Sequence, residues 1–497
     1  MLINRRAFLH TAGLGAAAAT LAGCGGTQTT SPLHQGTADP PIDFRALARK
    51  LPGLLITPEQ PGYDLARRSF NPLFDNRTPA ALAQCRRIED VQACVSAAAA
   101  AGAPIAARSG GHSYAGYSTP NRALIVDLSG MSTVEVNADG TAVIGAGARL
   151  IDVYTALAGA GRCLPAGSCP SVGIAGLTLG GGIGVLSRKY GLTCDRLVSA
   201  TMVTADGIAR TVSASAQPDL FWALRGGGGG NFGIVTSFTF DTVVAPQLAV
   251  FQLDFPAGSV AEVLGGWQQW IVDMPDELWS KCNISGGSPS SCTVIGCYVG
   301  PASALNPLLA ELIRRTGNQP TSRTVAEYDC LDAMRYFAGC ADKSTAQCHD
   351  QASGRQRNRE AFVATSRIVT EPVADPAKIV SVFDGRRVFV LIDGLRGAVG
   401  RVRSADTAFP HRGALATMQI YLGTSPAGRA AATASMSEMR DQLTGILGGG
   451  AYVNYIDAGM PNWAQAYYGD NLMRLRQVAQ RYDPGRLFTF PQGLTTA

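Results

Sequence analysis

The feature that most constrains this chain is a stretch that mixes glycine with aliphatic residues, GSCPSVGIAGLTLGGGIGVLSRKYGLTCD, at positions 167–195. Its recurrent glycines are Gly173, Gly176, Gly180, Gly181, Gly182 and Gly184. Successive backbone N–H groups without side chains in front of them form a concavity suited to an anion such as a pyrophosphate. A flexible loop would be polar, whereas valine, isoleucine and leucine are interspersed here. The stretch therefore predicts a cradle for a phosphate-bearing cofactor.

A second glycine-rich segment, GGGNFG at positions 228–233, fits the G-x-G-x-x-G pattern of dinucleotide sites. It follows a helical pattern and leads into a strand, which is the reverse of the order that a Rossmann motif requires. We therefore interpret it as a turn at which the backbone closely approaches another group.

The segment RSGGHS at 108–113 places one of only five histidines directly after two glycines. His112 and Cys169 share a setting, since each lies beside serine in a glycine-flanked loop, and three interpretations are open. They could be base and nucleophile of a Cys/His hydrolase, although Pro170 prevents Cys169 from opening a helix whose dipole would activate the thiol. They could be a surface histidine and a disulfide partner. They could also be two nucleophiles that attach to the electron-poor ring edge of a flavin.

Length and patterning indicate more than one domain, because 497 residues of which 46% are hydrophobic exceed a single core. Residues 78–246 alternate strand and helix signals, and apolar 3–4 spacing over 86–102 predicts a helix. Residues 247–445 predict an antiparallel sheet with helices on one face. The final segment, 446–497, contains an amphipathic helix over 471–482. The predicted fold class is α+β.

The charge of the chain is modest. Charged residues make up 16% of it, the formal net charge is +5, and no basic stripe is present. This composition argues against a disordered chain and predicts no nucleic-acid partner.

The N-terminal segment, 1–24, is typical of a twin-arginine export signal, with arginines at 5–6 before a small, apolar run at 11–23. A buried alanine-rich helix is the alternative. The run ends in LAGC, which resembles a lipobox that would leave Cys24 acylated; an ordinary cleavage site is the other interpretation. Residues 25–77 follow as a polar tether and an N-terminal segment. The signal predicts the twin-arginine translocase as a partner, and a protein that is secreted or held in the cell envelope.

Twelve cysteines in an exported protein indicate disulfide bonds. Without Cys24 eleven remain, so one has another use. Two clusters are visible: Cys282, Cys292 and Cys297, and then Cys330, Cys340 and Cys348. Their spacings fit no zinc site, so we expect no metal and predict oxidised loops.

Several motifs follow one another in a fixed order. They are RSGGHSYAGY (108–117), GSCPSVG (167–173), LGGGIGVLSRKYGLTCD (179–195), NYID (454–457), YYGDNLMRL (467–475) and YDPGRLF (482–488). Together they resemble berberine bridge enzyme-like oxidases, which are FAD-linked oxidases of the vanillyl-alcohol-oxidase superfamily. The resemblance covers about residues 78–240 and 450–494, and the intervening region is only loosely similar.

The resemblance implies a two-part PCMH-type FAD-binding domain at 78–246, a substrate domain at 247–445, and a segment at 446–497 that returns to complete the FAD domain. It implies FAD attached through its 8α position to His112 and through C6 to Cys169. The other implied cofactor-binding residues are Arg108, Ser109, Gly110, Gly111, Ser113, Gly173, Gly176, Gly180, Gly181, Gly182, Gly184, Ile234 and Asn471.

The resemblance also implies catalytic residues. Tyr455 would take the proton of a substrate hydroxyl while hydride leaves its carbon for the flavin. A phenol has a pKa near 10, so this tyrosine needs a positive dipole nearby or acts in concert with hydride loss; an aromatic packing role is the alternative. Gln419 matches a strand that faces substrate. Val172 is compatible with access of dioxygen, and Ile183 stands where several relatives carry tyrosine, which leaves the substrate class open.

The implied function is an exported oxidase that acts on an alcohol or lactol of a carbohydrate or secondary metabolite, with dioxygen reduced to hydrogen peroxide. The alternative on the same scaffold is a dehydrogenase that passes electrons to a quinone or a protein. A Cys/His hydrolase and a non-catalytic flavin-binding protein are the rivals from other classes.

Overall fold

A computed structural model describes residues 42–352 and 359–495 of the chain. The predicted export signal with Cys24 and the predicted tether up to residue 40 lie outside the described residues. Within the described ranges, no helix combines the length and apolar character needed to cross a membrane. The fold is α+β, as the sequence predicts.

The first sheet has four strands in the order β1-β2-β4-β3. They are β1 (Leu55–Ile56), β2 (Ala81–Gln84), β3 (Ile105–Arg108) and β4 (Leu124–Asp127), and the helices around them are α1 (Phe44–Lys50), α2 (Tyr63–Ala66) and α3 (Ile88–Ala100). The β2, β4 and β3 strands are parallel. The α3 helix buries Val91, Cys94, Val95 and Ala98, which is the 3–4 spacing that predicted it.

The second sheet is antiparallel, with five strands in the order β5-β6-β10-β8-β9. Its strands are β5 (Val134–Val136), β6 (Thr141–Gly145), β8 (Leu197–Val203), β9 (Ala209–Ser213) and β10 (Ile234–Asp241). The strands β7 (Arg162–Cys163) and β11 (Val243–Val244) form a separate ribbon. The helices of this region are α4 (Leu150–Gly159), α5 (Ile174–Leu179), α6 (Ser187–Tyr190) and α7 (Pro218–Leu224).

The third sheet has seven antiparallel strands in the order β15-β12-β14-β13-β17-β18-β16. They are β12 (Leu248–Asp254), β13 (Leu278–Ser285), β14 (Ser291–Val299), β15 (Ser322–Tyr328), β16 (Phe362–Val369), β17 (Phe389–Gly394) and β18 (Ala416–Gly423). Its helices are α8 (Val260–Asp273), α9 (Ala302–Thr316), α10 (Cys330–Phe337), α11 (Thr345–Ala352), α12 (Pro376–Phe383), α13 (Ala398–Arg401) and α14 (Arg429–Leu447).

The two faces of this sheet differ because side chains alternate along a strand. On one face, residues such as Cys282, Ile392 and Met418 pack in an apolar core with α8, α9, α12 and α14. The opposite face carries polar and aromatic side chains, among them Lys281 and Gln419, and borders a cavity. Four helices thus cover one face, as predicted, whereas α10 packs against β12 on the other face, the rest of which is left to form a site.

The C-terminal segment returns to the first part of the fold, as the resemblance implied. Its helices are α15 (Trp463–Tyr468) and α16 (Leu472–Tyr482). The Arg474 guanidinium lies 3.9 Å from the ring centroid of Trp222 on α7. Arg481 pairs with Asp219 at 2.7 Å. These contacts dock the last helix onto α7.

The structure contains one of the predicted disulfide bonds, but the other predicted oxidised loop is wrong. Cys340 and Cys348 form a disulfide, with 5.9 Å between their Cα atoms, and the third cysteine of that cluster is a thiol. The other cluster is not oxidised, because Cys282, Cys292 and Cys297 are buried thiols. The strand register explains this, since Cys282 and Cys292 are offset by two positions on paired strands and Cys297 lies on the opposite face.

Candidate active site

A cavity of about 640 Å³ lies between the glycine-rich loops and the polar face of the seven-stranded sheet. This volume is within the range of about 300–1,000 Å³ that is usual for small-molecule sites. The lining combines distant parts of the chain: the loops at 109–114, 167–185 and 228–235, the sheet face, and the segments at 453–456 and 488–490.

The two glycine-rich loops press against each other at Gly110. A Cβ built on Gly110 would lie 2.3 Å from the backbone nitrogen of Gly173 and 2.7 Å from the carbonyl oxygen of Ser171. A side chain cannot fit between them, so glycine is required for this close approach. Ser109 donates from its hydroxyl to the carbonyl of Ala146 at 2.6 Å, which fixes the loop from its other side.

His112 and Cys169, the two predicted attachment residues, both line the cavity, and both contact the hydroxyl of Ser171. Ser171 Oγ lies 2.8 Å from His112 Nε2 and 3.7 Å from Cys169 Sγ. The His112 ring also stacks on Phe70, with 4.0 Å between ring centroids. The structure therefore brings the two predicted nucleophiles together beside the cavity.

Arg108 is a predicted cofactor-binding residue that the structure places behind the loop and outside the cavity lining. Its Nη2 donates to Asp127 at 2.5 Å and to the carbonyl of Ala66 at 2.7 Å. Burial alone would raise the pKa of Asp127, but the charge and hydrogen bond of Arg108, together with hydrogen bonds from Ser129, outweigh it and hold that pKa below its ordinary value. Arg108 and Asp127 are in register on adjacent strands, which brings their side chains together. Because the Arg108 guanidinium is buried, it needs a partner of opposite charge, and Asp127 supplies it.

The predicted glycines divide into two groups. Gly111, Gly173, Gly176 and Gly184 line the cavity, as do Ser113 and Ile234.

Gly180, Gly181 and Gly182 lie outside that lining, and their assignment to the cofactor stays a prediction. They make room for protein groups: a Cβ on Gly180 would lie 2.0 Å from Asn454 Oδ1, and one on Gly182 would lie 2.2 Å from Thr193 Oγ1. Gly180 therefore makes room for the C-terminal segment, whereas Gly182 makes room for Thr193.

Asn471 is also outside the cavity lining. Its side-chain amide donates to the carbonyl oxygens of Ser404 and Thr407, at 2.7 and 3.2 Å. These bonds hold the loop that carries Ser404 and Thr407, and the assignment of Asn471 to the cofactor stays a prediction. In contrast, Gly228 and Gly230 line the cavity with positive φ angles of 85° and 82°. They belong to the segment interpreted from the sequence as a turn of close approach.

Four aromatic and amide side chains form a cluster at the sheet side of the cavity. Gln419 Nε2 donates to Tyr421 Oη at 2.7 Å and also to Tyr114 Oη, and the two tyrosine hydroxyls are hydrogen-bonded to each other. The ring of Tyr455 stacks on Tyr114, at 6.0 Å between centroids and 5° between planes. Tyr455 and Gln419, predicted separately, are thus joined through Tyr114.

The backbone that carries Tyr455 is held by its neighbours. Asn454 Nδ2 donates to the carbonyl of Leu177 at 2.9 Å and to Tyr452 Oη at 2.8 Å. Tyr452 Oη also accepts from the backbone N–H of Gly182 at 2.9 Å. Burial raises the pKa of Tyr452, which keeps this phenol neutral as a support for Tyr455.

Several cavity residues escaped the sequence analysis. They are Tyr114, Trp279, Lys281, Asn283, Asp393 and Tyr421. The alternation in LWSKCNIS, where every second residue from Trp279 to Asn283 faces one side, is the signal that could have found three of them. Trp279 Nε1 and Asn283 Oδ1 are buried atoms without a hydrogen-bond partner among the described residues.

These residues fit an FAD. Two glycine-rich loops that touch at Gly110 offer backbone without side chains, and a histidine and a cysteine stand at the same cavity wall. The described residues contain no cluster of three potential metal ligands. The fold and site thus define a flavin-dependent oxidoreductase in which an antiparallel sheet faces the cofactor loops.

Comparison with known proteins supports this class. A family model for an FAD binding domain matches residues 79–213, and a model described as berberine and berberine like matches residues 451–495. An uncharacterised FAD-linked oxidoreductase of Bacillus subtilis, YgaK, is 36% identical over 90% of this chain and 97% of its own length. The chitooligosaccharide oxidase of Gibberella zeae is 31% identical over 84% of this chain and 87% of its own length.

The solved structure of Physcomitrella patens BBE-like 1 superposes with a TM-score of 0.83 at 30% identity, over 91% of this chain and 98% of that one. The chain belongs to the berberine bridge enzyme-like family of FAD-linked oxidoreductases.

Proposed function

We propose that FAD is held by two covalent bonds, one to His112 and one to Cys169. The support is the convergence of both side chains on one hydroxyl at the cavity wall, within 2.8 and 3.7 Å of Ser171 Oγ. A neutral imidazole and a thiolate are suitable nucleophiles for an electron-poor ring edge. The intact mass of the denatured chain tests this: we expect a gain of one FAD, which is lost in the His112→Ala, Cys169→Ala double variant and kept by each single variant.

We further propose that the enzyme oxidises an alcohol or lactol carbon of a carbohydrate. The observation that carries this proposal is the polar sheet face, on which Lys281, Asn283 and Gln419 line the cavity together with Asp393. Polar and charged side chains grouped in this way suit a ligand rich in hydroxyl groups, which can both donate and accept hydrogen bonds. The related chitooligosaccharide oxidase is named for such a substrate.

When bound, FAD supplies a two-electron acceptor for hydride from the substrate carbon and passes the electrons to dioxygen, which yields hydrogen peroxide. The side chains supply the remaining steps. Tyr455 takes the proton of the reacting hydroxyl. Gln419 and the hydroxyls of Tyr114 and Tyr421 form a network that orients the substrate and fixes the ring of Tyr455 by stacking.

Oxygen uptake with a panel of mono- and oligosaccharides tests this function. We expect turnover with peroxide release for reducing sugars and none for the corresponding alditols, which lack the lactol. The Asn283→Leu variant should raise KM for the sugar, because it removes a polar side chain from the cavity lining and nearly keeps its size. Turnover without peroxide in the presence of a quinone would instead show a dehydrogenase. Absence of turnover with every sugar would overturn the substrate proposal.

We propose that the protein leaves the cytoplasm through the twin-arginine pathway with the cofactor already loaded, on the basis of the arginine pair before the apolar run at 11–23. Replacement of both arginines by lysine should keep the protein in the cytoplasm. Metabolic labelling with a fatty acid tests whether Cys24 is acylated, with Cys24→Ala as the control. Export that continues after the double replacement would contradict this route.

A further inference from the structure

Ser171 is a buried serine, 3% exposed, whose hydroxyl stands between the two attachment residues. Its Oγ lies 2.8 Å from the Nε2 atom of His112 and 3.7 Å from the Sγ atom of Cys169. The sequence analysis did not single out this residue. A hydroxyl that contacts both nucleophiles can influence both attachment reactions.

The backbone around Ser171 leaves this hydroxyl little freedom. The carbonyl of Pro170 accepts from Ile151 N at 3.2 Å and the carbonyl of Val172 accepts from Leu150 N at 3.0 Å, both in the first turn of α4. Ile174 N then donates to the carbonyl of Ala148 at 2.9 Å. The loop is therefore clamped to α4 on both sides of Ser171, and the position of Oγ is set before any ligand binds.

The hydrogen-bonding capacity of one hydroxyl matches what the two nucleophiles need. Ser171 Oγ can accept from an Nε2–H of His112, which fixes the tautomer whose lone pair is on Nδ1. The same Oγ–H can donate to Cys169 Sγ, which lies 3.7 Å away, and so hold the sulfur in place. One side chain thus contacts and positions both nucleophiles.

We propose that Ser171 is the positioning residue for covalent attachment of the flavin at both sites; this inference rests on the bicovalent linkage proposed above. Each attachment forms one bond, from nitrogen to the 8α carbon or from sulfur to C6. Each removes one hydrogen from the side chain and one from the carbon. Dioxygen is the oxidant: it takes two electrons and two protons per bond and leaves as hydrogen peroxide.

The test compares Ser171→Thr with Ser171→Val, two side chains of nearly equal shape that differ in the hydroxyl. Intact mass and flavin-peptide mapping of the full chain, after acid precipitation, measure the fraction attached at each site. We expect Ser171→Thr to resemble the wild type and Ser171→Val to show at least about a tenfold loss in the rate or extent of attachment. The loss should appear at both His112 and Cys169.

Ser69→Ala is the matched control, because Ser69 is also a buried serine near this loop and its hydroxyl has no hydrogen-bond partner among the described residues. Its attachment should equal the wild type. Equal attachment in Ser171→Val and Ser171→Thr would overturn the role of Ser171 and leave the bicovalent linkage standing. Wild-type protein without any covalent FAD would overturn the linkage itself. Circular dichroism of each variant separates loss of attachment from loss of folding.

Discussion

Replacement of Gly110 by alanine places a methyl group where two backbone segments meet. The new Cβ would lie 2.3 Å from Gly173 N and 2.7 Å from Ser171 O, whereas ordinary contact begins near 3.4 Å. Backbone on both sides cannot rotate away as a flexible side chain can. The two loops must therefore move apart by about 1 Å.

The cost has two parts. Overpacking of a close contact costs about 1–3 kcal/mol. The same separation stretches the 2.8 Å hydrogen bond between His112 Nε2 and Ser171 Oγ beyond useful length, which adds about 1 kcal/mol. We therefore expect Gly110→Ala to lower the free energy of unfolding by about 2–4 kcal/mol and to reduce covalent FAD.

Denaturant unfolding followed by tryptophan fluorescence measures the first effect, and the mass of the denatured chain measures the second. Gly445→Ala is the control, because Gly445 is an exposed residue inside α14 with nothing within 4 Å of a Cβ. That change should stabilise the protein by up to about 1 kcal/mol. A Gly110→Ala variant as stable as the Gly445→Ala variant, with full FAD attachment, would refute the close contact of the loops.

Three further predictions follow from other parts of the molecule. Tyr455→Phe should lower kcat by about 10²–10⁴-fold at unchanged FAD content, because the proton acceptor is lost; unchanged kcat measured by oxygen uptake would show a packing role. Asp195→Asn should lower the free energy of unfolding, measured with denaturant, by about 3–5 kcal/mol, because it leaves the buried Arg412 without its carboxylate. Arg403→Gln, which breaks an exposed ion pair, is the control and should change that free energy by less than about 1 kcal/mol. Burial lowers the pKa of His411 to about 4, so the unfolded chain takes up a proton near pH 6.5 and the native protein does not. The free energy of unfolding, measured with denaturant, should therefore fall by up to about 3 kcal/mol as the pH is lowered from 6.5 to 4. His411→Gln should make it depend less on pH over this range.

Sequence patterns predicted the elements that local periodicity controls. The helix over 86–102 appears as α3 because its apolar residues recur at 3–4 spacing. The polar face of β13 was missed, since lysine and asparagine in an antiparallel strand look the same whether they face solvent or a cavity. Only the packing of the sheet opposite the glycine-rich loops shows that this face borders a cavity.

The glycine assignments show the same limit within the site. Gly110 and Gly180 are alike in the sequence, and each lies in a loop that resembles a cofactor cradle. In the structure, Gly110 leaves room for the backbone of the loop at 171–173. Gly180 leaves room for the side chain of Asn454, which is far away in the chain. Long-range contacts decide what each glycine makes room for, and these are not encoded in local spacing. The domain boundaries and the export signal remain predictions.

The wall of the cavity is built from residues that are far apart in the chain, among them His112, Gln419 and Tyr455. A polypeptide emerges from the ribosome with its N-terminus first. The histidine loop is therefore finished long before the tyrosine that will face it is translated. Completion of the pocket is a late event in biosynthesis, and a nascent chain that stops short of residue 451 lacks the wall that Asn454 and Tyr455 supply.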